Sequence, residues 1–323
     1  MATVAGGLAG CVATPRFAGP LPVRNQHPAQ LTVLHLPPAR ATVLPAEAAD
    51  IRLDAAYSSL FLNGTGFARS YYMDGEYLRF GPTLRAGLGS DLELSVGLPF
   101  AHASGGFLDA FLIDYHDVLG LPDQNRDSVE NGDFRVDATR NGNTVWRLEP
   151  GGVELADVPL SLTWQLRELD DGPALALRGG LELPTGDDDK GYGNGELDWG
   201  VGGLLEQRWA GMAFYCHAQH TFAGTPAIAR RGGLSFADVT SLGATAELPL
   251  FEQLNALVQV EWETSTLRHL GLEVTDREQV LLWVGGRYHF AERAALEFGF
   301  GEDLVGYVSP DFTAWIGLTT ITW

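Results

Sequence analysis

The chain has 323 residues, 45% of them apolar, and 21 Lys+Arg against 41 Asp+Glu give a net charge of −20. Such a polyanion repels phosphate, which argues against nucleic acid as a partner. No apolar run reaches the length of a spanning helix, while 40 glycines suit a turn-rich chain whose alternate residues face two media.

Residues 1–18 read as an export leader. Met1–Thr14 is uncharged, small and apolar, similar to the apolar core of a secretion signal but without the basic residues that normally precede it. Leu8-Ala9-Gly10-Cys11 looks like a lipobox, which implies acylation of Cys11; ordinary cleavage near Ala13 or beyond is the alternative reading. Cys216 falls mid-strand, so the two cysteines predict no disulfide framework. Residues 19–50 form a proline-rich segment, dense enough in proline to exclude helix and most ladder pairing. Leu21, Val23, Leu31, Val33, Leu34 and Leu36 nevertheless need cover. The mouth of a barrel built by the following residues is the nearest enclosed surface, and a plug there would bring Arg24 to Glu93, Glu206 or Glu247.

From residue 51 to 323 the apolar period is two. Leu53–Phe61 opens the series. Leu78–Leu88 and Leu92–Phe100 flank Gly89-Ser90-Asp91 as a hairpin, and the pattern repeats in Leu160–Arg167 with Leu175–Leu183 and in Trp199–Arg208 with Met212–Phe222. Leu242–Leu250 with Leu254–Glu263, Val280–Phe290 with Ala294–Phe300, and a terminal strand Phe312–Trp323 complete about twelve strands, an even number. The joints alternate in length: Gly89–Asp91, Glu168–Pro173, Trp209–Gly211, Leu250–Gln253 and His289–Arg293 are short. Asn63–Asp74, Ser104–Asp157, Thr185–Glu196, Ala223–Ala237, Ser265–Glu278 and Glu302–Pro310 are long. A transmembrane antiparallel β-barrel of about 12 strands has this rhythm, with short turns on one side of the membrane and long loops on the other. Within residues 104–157, Phe107–Gly120 carries apolar residues at helical spacing, and Phe134–Arg140 with Thr144–Leu148 around Asn141-Gly142 predicts a hairpin. The amphipathic helix caps the mouth in one reading; in another it is a lid, with Phe107, Phe111 and Tyr115 beside Arg24 as gating residues.

If the apolar alternates face lipid, a mixed polar set faces inward. It comprises Arg79, Arg85, Glu93, Arg167, Arg178, Glu182, Glu206, Arg208, Glu247, Gln259, Glu261, Glu263, Arg287, His289 and Glu297. That interior is either a hydrated passage or a salt-bridged core. No catalytic constellation stands out, because on a strand His217 and His220 point to opposite faces, and Cys216 and His220 lie about 13 Å apart. Asp187, Asp188, Asp189 and Asn194 could offer oxygens to Ca²⁺, but at spacings unlike an EF-hand, so neither metal nor cofactor is expected.

The terminal amphipathic strand ends in Trp323 and looks like the signal by which bacterial outer-membrane barrels are recognised by their assembly machinery. Gly19-Pro20-Leu21-Pro22-Val23-Arg24-Asn25-Gln26-His27-Pro28, together with Gly105–Asp109, Asp114–Asp117 and Gly120-Leu121-Pro122, resembles an uncharacterised family of Gram-negative outer-membrane proteins. Leu183–Asp187 through Lys190–Gly195 is similar to loops of outer-membrane barrels linked to uptake of hydrophobic compounds. The resemblance implies an outer-membrane location, a monomer, and outer-membrane lipids and lipopolysaccharide as its surroundings. Passage of a small solute is the first functional expectation, a structural or envelope-interaction barrel the second, and an outer-membrane enzyme the third.

Overall fold

A computed structural model describes residues 17–107, 132–305, 309–310 and 312–322. Sixteen strands join in one sheet: β1 (Ala49–Gly66), β2 (Arg69–Gly87), β3 (Leu92–Gly97), β4 (Phe100–Ser104), β5 (Arg135–Arg140), β6 (Asn143–Leu148), β7 (Glu154–Leu155), β8 (Val158–Arg167), β9 (Ala174–Leu183), β10 (Asp198–Trp209), β11 (Met212–Phe222), β12 (Val239–Phe251), β13 (Leu254–Glu263), β14 (Gln279–Ala291), β15 (Ala294–Val305) and β16 (Phe312–Thr322). All neighbours pair antiparallel, and β1 pairs with both β2 and β16, from Ala49↔Thr322 to Ser59↔Phe312, so the sheet closes on itself. Closure removes the free edges that an open sheet would present.

Twelve wall strands result, because β3 with β4 and β7 with β8 are each one strand interrupted. The interruptions face each other. Pro82 on β2, Pro99 between β3 and β4, and Pro159 on β8 each lack an N–H, and Leu98 N→Pro82 O (2.9 Å) and Ala156 N→Pro99 O (3.0 Å) bridge the gap. The remaining pair, β5 and β6, stands outside the wall.

Side-chain alternation follows the period read from the sequence. On β13, Val258 and Val260 are about 40% exposed, whereas Leu257, Gln259, Glu261 and Glu263 between them are buried. The outward belt includes Leu53, Leu84, Leu162, Trp164, Leu177, Leu181, Val201, Leu242, Val284, Leu296, Phe298, Ile316 and Leu318. So extended an exposed apolar band demands an apolar solvent around it.

Three expectations need correction. Asn63–Asp74 is not a loop: β1 and β2 continue as a ribbon to Gly66 and Arg69 around Phe67-Ala68. The ribbon is stable there because β5 pairs with Arg69–Asp74, and β6 pairs with β5 across Asn141-Gly142, whose φ values of 52° and 79° suit a tight hairpin turn. The proline-rich segment does contain a helical turn, α1 (Pro28–Leu31). Proline sits at its first position, where no N–H is needed, and the His27 ring caps Ala29 N at 3.2 Å. Two further short helices, α2 (Ala227–Arg231) and α3 (Glu273–Asp276), lie in segments expected to be plain loops.

Candidate functional site

The barrel interior is occupied by its own amino-terminal segment. Gly19 begins at the end bearing the short turns, where Ala18 N and Gly19 N donate to the Glu247 carboxylate at 3.4 and 3.1 Å and Gly19 O accepts from Arg287 Nη2 at 2.7 Å. Gln259 grips the Leu21 backbone on both sides, accepting from its N at 2.6 Å and donating to its O at 3.1 Å. Asn25 reaches Glu263 (2.8 Å) and Gln279 at the far ends of β13 and β14. The chain turns there through α1, where Gln30 donates to Glu263 (2.9 Å) and accepts from Thr266 N (2.7 Å).

It then descends. Leu34 N donates to Asp198 (3.0 Å), Leu36 N to Gln219 (2.9 Å), and Arg178 to Pro37 O (2.6 Å). Arg40 makes two bonds to Glu206 (3.0 and 3.1 Å), and Val43 N and Leu44 N reach Gln165 (2.9 Å) and Glu93 (3.0 Å) before β1 starts. An irregular backbone cannot satisfy its own polar groups when buried, and here inward amides and carboxylates do so.

Apolar seats match this polar grip. Inward glycines on the wall let Leu21, Leu34 and Leu36 approach the sheet. A Cβ at Gly285 would stand 2.8 Å from Leu21, at Gly200 3.2 Å from Leu34, and at Gly180 2.4 Å from Leu36. At the long-loop end, Ala29, Leu31 and Val33 join Tyr71, Met73, Val136, Trp146, Leu234, Phe236, Leu267 and Leu270 in one buried cluster, closing the lumen from above. His27 and the Tyr71 hydroxyl are 2.6 Å apart beneath it.

Charges on the inner wall are arranged in pairs and chains. Arg287 is fully buried between Glu247 (2.5 Å) and Glu297 (2.6 Å), with Arg52 on the other side of Glu297 (3.1 Å). Tyr215 and Asn255 add hydrogen bonds to Glu247 at 2.8 and 2.7 Å. Arg85 pairs with Asp50 and lies 3.6 Å from Glu93, and His217 lies 2.9 Å from Glu261.

Among the other residues singled out from the sequence, Glu182 is buried, Arg79 is half-buried on the cavity wall, and Arg167 donates to Pro173 O at 2.7 Å. Arg208 sits at the short-turn end, its guanidinium over Phe17 at 5.5 Å, and His289 lines the wide mouth there, a cavity of about 410 Å³. Arg24 does not meet Glu93, Glu206 or Glu247; it donates to Gln30 O (2.5 Å) and Val33 O (3.0 Å). The segment has already climbed past those carboxylates at residue 24, so residues 18–19 and 40–44 meet them instead. The Phe107 ring lies tilted 5.8 Å from that of Tyr57, whereas Phe111, Tyr115, the rest of the expected helix, and Cys11 lie outside the described residues.

Asp187 accepts from Lys190 N (3.1 Å) and Asn194 turns its amide to Asp198 (3.0 Å). Among the described residues no group of three His, Cys, Asp or Glu converges as metal ligands. Beside them, burial pushes the Asp157 carboxyl above its usual range even though it accepts from Gly186 N and Asn194 N, at 2.8 and 3.0 Å. Sequence reasoning missed Arg40, Asp50, Arg52, Gln165 and Gln219. Parity alone would have placed Gln219 inward, two residues from His217, and Asp50 and Arg52 need the extended start of β1.

Solved structures share this architecture. The COG4313 outer membrane channel from Pseudomonas putida F1 is 12% identical, with a TM-score of 0.56 over 89% of this chain and 100% of that one. KdgM porin (8% identity, TM-score 0.42, 84% and 98% covered) and a TodX deltaS2S3 mutant monoaromatic hydrocarbon channel (10%, 0.40, 87% and 90%) are more distant. At that identity the first establishes the fold alone: a closed, outer-membrane type of barrel. No curated protein matches the sequence. A family model described as Protein of unknown function (DUF3187) matches residues 8–321.

Proposed function

The chain belongs to the DUF3187 family, an uncharacterised family with the outer-membrane barrel fold, and we propose that it is an outer-membrane channel for a small solute, gated by its own amino-terminal segment. One observation carries this reading: residues 19–44 enter and leave by the same mouth and are held inside by individual hydrogen bonds, the Arg40–Glu206 ion pair and apolar packing rather than by a strand ladder. Each such bond contributes about 0.5–1.5 kcal/mol net, or about 1.5–3 kcal/mol where a carboxylate accepts, so the segment is secured by many separate terms that can be released in succession. Withdrawing it would connect the wide inner mouth with the interior. The channel named above supports the reading at the level of fold, and the solute is left to chemistry inside the barrel.

Planar-bilayer recordings of the refolded protein test it. Replacing residues 19–44 by a short Gly/Ser linker should raise unitary conductance or open probability. Gly180→Val, which crowds the Leu36 seat while leaving the sequence of the segment unchanged, should do so partially. The interior is filled tightly enough to favour a purely structural barrel as the second reading. Silence of both variants, in protein that still shows the mobility shift of a folded barrel on heating, would select it.

A further inference from the structure

Between the segment and the wall made by β1, β2, β3, β8 and β9 lies a cavity of about 100 Å³, several times what one water needs. In a chain of net charge −20, its lining carries six arginines (Arg24, Arg40, Arg52, Arg79, Arg85 and Arg178) and one carboxylate, Asp54. Three of the six are neutralised elsewhere: Arg40 by Glu206, Arg52 by Glu297 and Arg85 by Asp50. Arg24, Arg79 and Arg178 have no carboxylate within ion-pair distance among the described residues.

Arg24 and Arg178 are more than nine-tenths buried, donate to carbonyl oxygens from one terminal nitrogen each, Nη2 of Arg24 and Nη1 of Arg178, and each keeps a buried Nε without a partner. Glu182 and Glu263 face Arg24, and Glu93 faces Arg178, only from beyond ion-pair distance; burying a guanidinium without a direct counter-charge is costly, so an anion that supplied one would be bound strongly for its size. The opposite end of the same cavity is apolar. Phe80, Pro82, Leu98, Pro99, Pro159 and Leu160 line it where the three prolines interrupt the ladder, and they come from both faces of the wall. Cationic donors toward the lumen and an apolar gap at the wall define a ligand with a charged head and a small apolar body.

Resting on the channel reading for its place on a path, we propose that this cavity is a binding site for small carboxylates, of the single-ring or short-chain class, held by Arg24, Arg79 and Arg178. The test uses 4-fluorobenzoate and its uncharged amide with the full-length protein in detergent, followed by ¹⁹F NMR line broadening. The acid should bind and the amide should not. Arg178→Met and Arg79→Met should each weaken the acid at least tenfold. Ser95→Glu, which puts a carboxylate on the lining while leaving every arginine in place, should abolish binding in a barrel that migrates as folded on unheated gels.

Equal broadening by acid and amide, or wild-type affinity in folded Ser95→Glu, would overturn the assignment. The two proposals fail separately. Absent binding with normal single-channel currents removes the carboxylate site and leaves the channel, whereas specific binding in a barrel that never conducts removes the channel and leaves the site.

Discussion

Arg287 concentrates the electrostatics of the interior into one side chain. Fully buried, it is shared by two carboxylates and the Gly19 carbonyl. Replacing it with Met would leave Glu247 without a cation and Glu297 with Arg52 alone; breaking a buried pair of this kind costs about 3–5 kcal/mol. Arg287→Met should therefore lower the temperature at which the unheated-gel mobility is lost, and Glu247→Gln in the same chain should restore much of it. Arg277→Met, which removes an exposed pair with Glu273, should cost under about 1 kcal/mol and leave that temperature nearly unchanged. Parity put Arg287, Glu247 and Glu297 on one face from the sequence alone. The partners of Arg24, the Gln30 and Val33 carbonyls rather than a carboxylate, were not legible in that way, because what it meets depends on how far a proline-rich chain climbs before turning, and no local periodicity records that distance.

Among the elements, the wall strands are the most legible and the proline-rich segment the least. Alternation on β13 assigns each residue to lipid or lumen because a charge on the lipid face costs about 2–4 kcal/mol at the midplane. Val258→Arg should accordingly reduce folded protein recovered in lipid vesicles far more than Ser95→Arg, which faces the cavity; equal yields would contradict the facing assignment. The projecting ends of β1 and β2 escaped the sequence reading for a physical reason. Asn63-Gly64 and Gly66 favour turns, and only pairing of Arg69–Asp74 with β5 makes the extended form stable. The α1 turn was hidden by the same logic, since proline stops a helix everywhere except at its start.

At the scale of the whole molecule, the even strand count and the alternation of short and long joints were enough to specify a closed barrel, whereas the filled interior required contacts between residues more than 200 positions apart, such as Leu21 with Gln259. That separation has a consequence for how the barrel opens and recloses. Residues 19–44 are bound at both mouths' worth of contacts yet remain covalently joined to β1, only a few residues beyond Leu44. A displaced segment thus stays within reach of its seat, at an effective concentration in the millimolar range for so short a tether. Reinsertion is a first-order event that dilution cannot slow. Openings of the intact protein should be brief and independent of protein concentration, and a synthetic peptide of residues 19–44 should silence the linker-replaced barrel at about micromolar levels, because a gate that is mostly closed needs a dissociation constant well below the tether's effective concentration. Block at nanomolar peptide would mean that the segment binds its barrel far more tightly than a reversible gate can.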